Sequence, residues 1–239
     1  METKRYQKLA LIAAAAGALG FGLRGLAYRV AVDEKGLLVR LHPAILVLAV
    51  LGAAVAAVLI LTWIRTEKGK IMAPTGKVQA LGSLCMLAGL VLTLAGGWGG
   101  RLHVLLTVLC LLSAACMGAA AFRQLQGRQP VFLDHGVLCL FLGLYLVNRY
   151  RIWSWNPQTL DTMPVLCGIV ALLVYVYQMA AGNQGEGELR SWLLLGTFGS
   201  FSCLTAASGG DGSWLALGGG LYMLCGLWAG AARKREERA

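Results

Sequence analysis

The chain has 239 residues, 58% hydrophobic and only 13% charged, with a formal net charge of +10. A soluble domain carries about 25% charged residues, and the polar gaps here, about fifteen residues at most, are too short to bury a core of their own. A soluble globular enzyme is excluded on those grounds, and anionic lipid head groups account for the basic excess without any nucleic acid.

A helix that crosses a bilayer needs about 20 apolar residues, and eight stretches meet that demand: 9–27, 43–64, 78–97, 102–122, 131–148, 162–181, 191–208 and 213–231. The first follows Lys4, Arg5 and Lys8. It reads as a retained helix and not as a cleaved leader, because Arg24 interrupts its tail and no small-x-small site precedes a polar start. Snorkelling to the interface accounts for Arg24. His42 and Pro43 open the second span, and Trp63 and Arg65 close it. The third carries Leu81-Gly82-Ser83-Leu84 and ends in Gly96-Gly97-Trp98-Gly99-Gly100; Arg101 and His103 lead into the fourth. Asp134 and His135 stand in the first turn of the fifth, which ends in the loop Asn148-Arg149-Tyr150-Arg151-Ile152-Trp153-Ser154-Trp155-Asn156-Pro157. The seventh carries Phe198-Gly199-Ser200-Phe201, and Ser208-Gly209-Gly210-Asp211-Gly212 turns the chain into the eighth.

Fourteen of the 21 Lys and Arg residues fall on the side that holds both termini and seven on the other. Basic loops stay in the cytoplasm, so both ends are expected inside, in the cell membrane. The tryptophans agree with this threading: Trp63, Trp98, Trp192, Trp214 and Trp228 fall near span ends, and Trp153 and Trp155 in an outer loop. That is where an indole buries its ring and keeps its N–H wet.

A weak half-chain repeat is visible. Leu26-Ala27-Tyr28-Arg29 corresponds to Leu146-Val147-Asn148-Arg149, and the glycine-rich outer turns correspond as well. It suggests halves 1–125 and 126–239 within a single transmembrane domain, with chance matches among frequent Gly and Leu as the alternative. Gly226 and Gly230 form a G-x-x-x-G in the last span, and small residues let helix backbones approach. The seven cysteines all lie within spans and form no C-x-x-C. They read as small apolar residues and not as a disulfide framework.

No catalytic, cofactor-binding or metal motif is present: there is no H-E-x-x-H, no G-x-S-x-G and no P-loop. Asp134 and His135 read either as a proton-handling pair or, preferably, as an acid that caps a helix start. The three histidines, at separate helix ends, read as interfacial. The candidate ligand site is the outer face: Arg101, Arg149, Arg151, Trp153, Trp155 and Asp211. Guanidinium groups beside indole rings suit an anionic, partly apolar ligand through bidentate hydrogen bonds and stacking. An aromatic belt with snorkelling arginines is the other reading of the same residues.

Eight spans with both ends inside, at this length, is similar in architecture to the lysoplasmalogenase family. The resemblance implies an intramembrane lipid-modifying enzyme with an acid after a small residue in spans three and seven. The matching stretches, Gly82-Ser83-Leu84-Cys85 and Gly199-Ser200-Phe201-Ser202-Cys203, carry no acid. The sequence therefore reads as an all-α polytopic membrane bundle whose favoured role is a binding or transport-type component for a small anionic or amphipathic molecule. With no ATP-binding motif, such a component is passive, secondary or dependent on another subunit. Membrane lipids and a small-molecule or lipid ligand are the expected partners, and an accessory or scaffold role is the third alternative.

Overall fold

The computed structural model describes residues 2–31, 42–66, 69–71, 73–97, 102–153, 159–209 and 212–236, with side chains left undescribed at 2–5, 153, 159–161 and 231–236. Eight helices make up nearly all of it: α1 (Glu2–Val30), α2 (Pro43–Arg65), α3 (Lys77–Ala95), α4 (His103–Leu125), α5 (Phe132–Trp153), α6 (Thr159–Asn183), α7 (Leu189–Ala206) and α8 (Ser213–Glu236). The protein is an all-α polytopic membrane bundle, and six of these helices, α1 to α6, are long and apolar enough to cross a bilayer. Each expected span corresponds to one helix. An unexpected feature is a two-residue antiparallel pair, β1 (Lys70–Ile71) with β2 (Gly187–Glu188), in register Lys70 with Glu188 and Ile71 with Gly187. The end of the bundle that carries this pair is called the β face here, and the opposite end, with the α3–α4 and α7–α8 connections, the turn face.

Coverage by neighbours explains why α7 and α8 need not be as long and apolar as the six candidate spans. Helix α7 packs on α1, α2, α6 and α8, and α8 packs on α1, α3, α6 and α7. Being surrounded by protein, they need no lipid-compatible surface. Their hydroxyls can turn inward: Thr197 donates to Leu193 O at 2.8 Å and Ser200 to Gly196 O at 2.5 Å. Such bonds to the preceding turn satisfy the group locally. Helix α2 is the converse. It is the most apolar span and the least covered, burying only Ala44, Val55 and Leu59.

Local chemistry sets the helix ends. Pro43 occupies the first turn of α2, where no N–H is needed, and His42 Nδ1 accepts from the Ala44 N–H at 3.3 Å. At α5, Asp134 Oδ2 accepts from the Val131 N–H at 2.8 Å, the acidic half of a capping box. Helix α6 starts at Thr159, earlier than its hydropathy indicates, and takes Pro164 inside. Pro164 lies just past the first turn, so its missing N–H costs α6 one bond near the helix start.

Without a hydrophobic drive between helices in lipid, close backbone approach supplies the packing energy. The tightest seam runs between α3 and α8. A Cβ on Gly218 would stand 2.7 Å from Cys85 O and 3.0 Å from Gly89 Cα, and one on Gly89 would stand 2.8 Å from Trp214 O. Gly226 and Gly230 also face neighbours within the chain: Tyr175 and Gln79 in the first case, Trp192 in the second. Gly22 of α1, by contrast, borders open space, and a Cβ added there would meet nothing within 4 Å. Gly218→Ala therefore meets backbone that cannot yield and should destabilise by about 1–3 kcal/mol, read as a lower melting temperature in detergent. Gly22→Ala should leave that temperature equal or slightly higher, because alanine favours helix.

Candidate functional site

At the turn face, α5 does not stop where the expected span does. It continues to Trp153, so 148–153 are helical and not an extended loop. The reason is local: no helix breaker occurs before Asn156-Pro157. In an extended strand Arg149 and Arg151 would point the same way. In a helix they diverge by roughly 200°. Arg149 turns inward and is buried, donating from Nε to the Tyr145 hydroxyl at 3.2 Å with its guanidinium 5.4 Å from the ring centroid. Arg151 is exposed. Trp153 closes α5, but its side chain, with Arg101, Trp155 and Asp211, lies outside the described residues. Of the six expected site residues, only Arg149 is seen against the bundle interior.

The residue that sequence reading underrated is Arg24. It is 3% exposed, not snorkelling. Its Nη1 donates to Ala206 O at 2.7 Å, Gly209 O at 3.3 Å and Thr205 O at 3.4 Å, and its Nη2 to the Tyr28 hydroxyl at 2.8 Å. The Thr205 and Ala206 carbonyls belong to the partly negative end of α7, and Gly209 O to the turn that follows it. Gly17 and Gly20 let α1 press onto Leu204 and Thr205, and that contact brings Arg24 level with the helix end. The α7–α8 turn is thus held between two buried arginine–tyrosine pairs: Gly209 lies near Tyr28, and Gly212 sits against the Tyr145 hydroxyl with φ +85°, a conformation glycine permits.

Beside this turn, α1 carries a groove of about 630 Å³. Phe21 and Leu26 form apolar walls, bare backbone at Gly22 and Gly25 forms the floor, and Tyr28, Arg29 and Ser208 form the rim. A Cβ at either glycine would meet nothing within 4 Å. Arg29 is exposed and has no partner among the described residues.

The β face holds a second polar assembly, which sequence reading missed. His135 is fully buried and not interfacial. It diverges from Asp134, which pairs with Arg123 at the rim. The Asn183 side-chain amide lies 3.2 Å from His135 Nδ1 and the Tyr222 hydroxyl 2.8 Å from Nε2, so both ring nitrogens have a partner. Tyr222 meets Tyr175 edge-on at 5.8 Å, and Tyr175 stacks on Trp192 at 6.0 Å. Trp192, expected in the aromatic belt, is 1% exposed. Ser83 of α3 donates to Gln124 Oε1 at 2.8 Å. The signal available in the sequence was the set of amides Gln79, Gln124 and Asn183, all at span ends on one side. Hydropathy reads such residues as boundaries.

No known protein family, curated protein or solved structure matches this chain.

Arg24→Met keeps the volume but strands several carbonyls in a dry site. Hydrogen bonds to charged groups contribute about 1.5–3 kcal/mol each, so a clear fall in melting temperature is expected. Arg24→Lys should recover part of it, since an ammonium lacks the planar fork. Equal stability of all three proteins would mean that the end of α7 is satisfied without the guanidinium.

Proposed function

We propose that this protein threads the cell membrane with both termini in the cytoplasm and acts as a binding or transport-type component, holding a small anionic amphiphile in the α1 groove at its outer face. One observation carries the ligand reading: Arg29 stands exposed and without a partner among the described residues, at the rim of a groove with apolar walls. Its volume lies within the range of about 300–1,000 Å³ usual for small-molecule sites. An anion at the rim gains a charge-assisted bond, with the Tyr28 ring and Ser208 alongside, while an apolar tail covers Phe21 and Leu26. Arg24 and Arg149 serve a different purpose. Their bonds are to the protein itself, and they keep the α7–α8 turn, one wall of the groove, in place.

The ligand test uses the protein in nanodiscs with phosphatidylglycerol or phosphatidylcholine, followed by native mass spectrometry. Arg29→Gln should weaken retention of phosphatidylglycerol by about tenfold, equivalent to about 1.4 kcal/mol. Gly25→Leu fills the groove without a clash and should block retention of either lipid at unchanged melting temperature. Equal retention of both lipids by all three proteins overturns the reading. Topology is tested separately: reporters at Asn183 and at the C-terminus should read cytoplasmic and one at Asn156 external, and a cytoplasmic signal at Asn156 reverses the threading.

A further inference from the structure

The side chains at the rim of the α1 groove divide their hydrogen-bonding roles. Arg29 supplies a positive charge and N–H donors. The Tyr28 hydroxyl is held by Arg24 Nη2 at 2.8 Å. Ser208 gives its hydroxyl proton to Thr205 O at 3.0 Å, and no donor among the described residues reaches its oxygen. Toward a ligand the Ser208 side chain can therefore only accept. Local structure fixes that role. Helix α7 ends at Ala206, and a serine just beyond a helix end turns its hydroxyl back onto the last turn. Its oxygen is left half-buried, with lone pairs uncommitted, in the lining of the groove. Gly209 O, in the same lining, receives Arg24 Nη1 at 3.3 Å and has a second lone pair.

An anion alone satisfies Arg29 but not Ser208. Its oxygens are acceptors, and an acceptor laid against the Ser208 oxygen covers it without pairing it. We propose that the groove selects an anionic head group that also carries a hydroxyl, of the phosphodiester-linked polyol class, and that Ser208 is the specificity-determining residue; this rests on the amphiphile reading of the same groove. The phosphodiester meets Arg29 in a charge-assisted bond, and a head-group hydroxyl donates to Ser208 Oγ. One basic side chain in the lining suits a single negative charge. An ammonium donor is disfavoured, because Arg29 repels it and no acid among the described residues lines the groove. A site that pairs with a ligand hydroxyl discriminates against the analogue without one, since its own polar group then goes unpaired. Ser208 is half-buried and not sealed, so the discrimination is that of one neutral hydrogen bond, about fivefold.

Phosphatidylglycerol and phosphatidylmethanol share the phosphodiester and its charge, and only the first has head-group hydroxyls. Each is supplied at the same mole fraction in phosphatidylcholine nanodiscs, and bound lipid is read by native mass spectrometry. The unaltered protein should retain phosphatidylglycerol about fivefold more strongly. Ser208→Ala should lower phosphatidylglycerol to the phosphatidylmethanol level and leave phosphatidylmethanol unchanged, whereas Ser208→Thr, which keeps the hydroxyl, should keep the preference. Arg29→Gln should weaken both lipids alike. Equal retention of the two lipids by the unaltered protein, or a preference that survives Ser208→Ala, overturns the head-group selection. If both lipids still weaken in Arg29→Gln, the amphiphile reading stands without it; if neither does, that reading falls as well.

Discussion

In hydrocarbon every polar group must find its partner inside the protein, and the arrangement of this bundle follows from that demand. Backbone groups meet it through the helices. Side chains meet it by position: the hydroxyl-bearing α7 and glycine-rich α8 lie at the centre, covered by neighbours, while the nearly pure hydrocarbon of α2 lies at the edge. Where α7 ends, Arg24 reaches across from α1 to the carbonyls of Thr205 and Ala206. A buried arginine is costly alone, so the carbonyl cluster and the guanidinium each make the other tolerable.

Close approach does the remaining work. The Gly89 and Gly218 seam brings α3 onto α8, and Gly17 and Gly20 bring α1 onto α7. These contacts set the levels at which side chains meet. A sliding of α1 by one turn, about 5.4 Å, would lift Arg24 off the end of α7 and remove one wall of the groove. Helices offset by half the chain share some neighbours and not others: α3 with α4 and α7 with α8 pair alike, whereas α8 also packs on α3 and α6. At the β face, Arg190 donates to Thr66 O at 2.6 Å and lies 5.9 Å from the Trp63 ring, tying α2 to α7 beside the short strand pair.

The candidate site residues were legible only in part. Arg149 was singled out for its aromatic surroundings, and it does lie against an aromatic ring, but that ring is Tyr145, one turn back on the same helix, not an indole of the loop. Residues 148–153 are helical and not part of the expected loop, so Arg149 and Arg151 face different ways. Arg24, His135 and Trp192 were each assigned to the interface because each stands near a span end, where one dimension cannot distinguish a side chain facing lipid from one facing the core. Arg29 drew attention only through the basic count and the half-chain repeat. Its significance comes from Gly22 and Gly25, whose missing side chains leave the groove beside it.

What the sequence by itself determined is the class of the protein, the number of helices and nearly all of their limits. Transfer from water to hydrocarbon is close to additive along the chain, so a run of apolar residues is sufficient evidence for a helix at that place. Helix rotation, depth and neighbours were decided only by the tertiary structure, because they depend on contacts between residues far apart in the chain. That is why the capping of α7 by Arg24, the groove on α1 and the neutral polar cluster among α3 to α8 could not be read from spacing. Each is assembled from separate helices whose polar groups are satisfied, or left open, only once the helices have met.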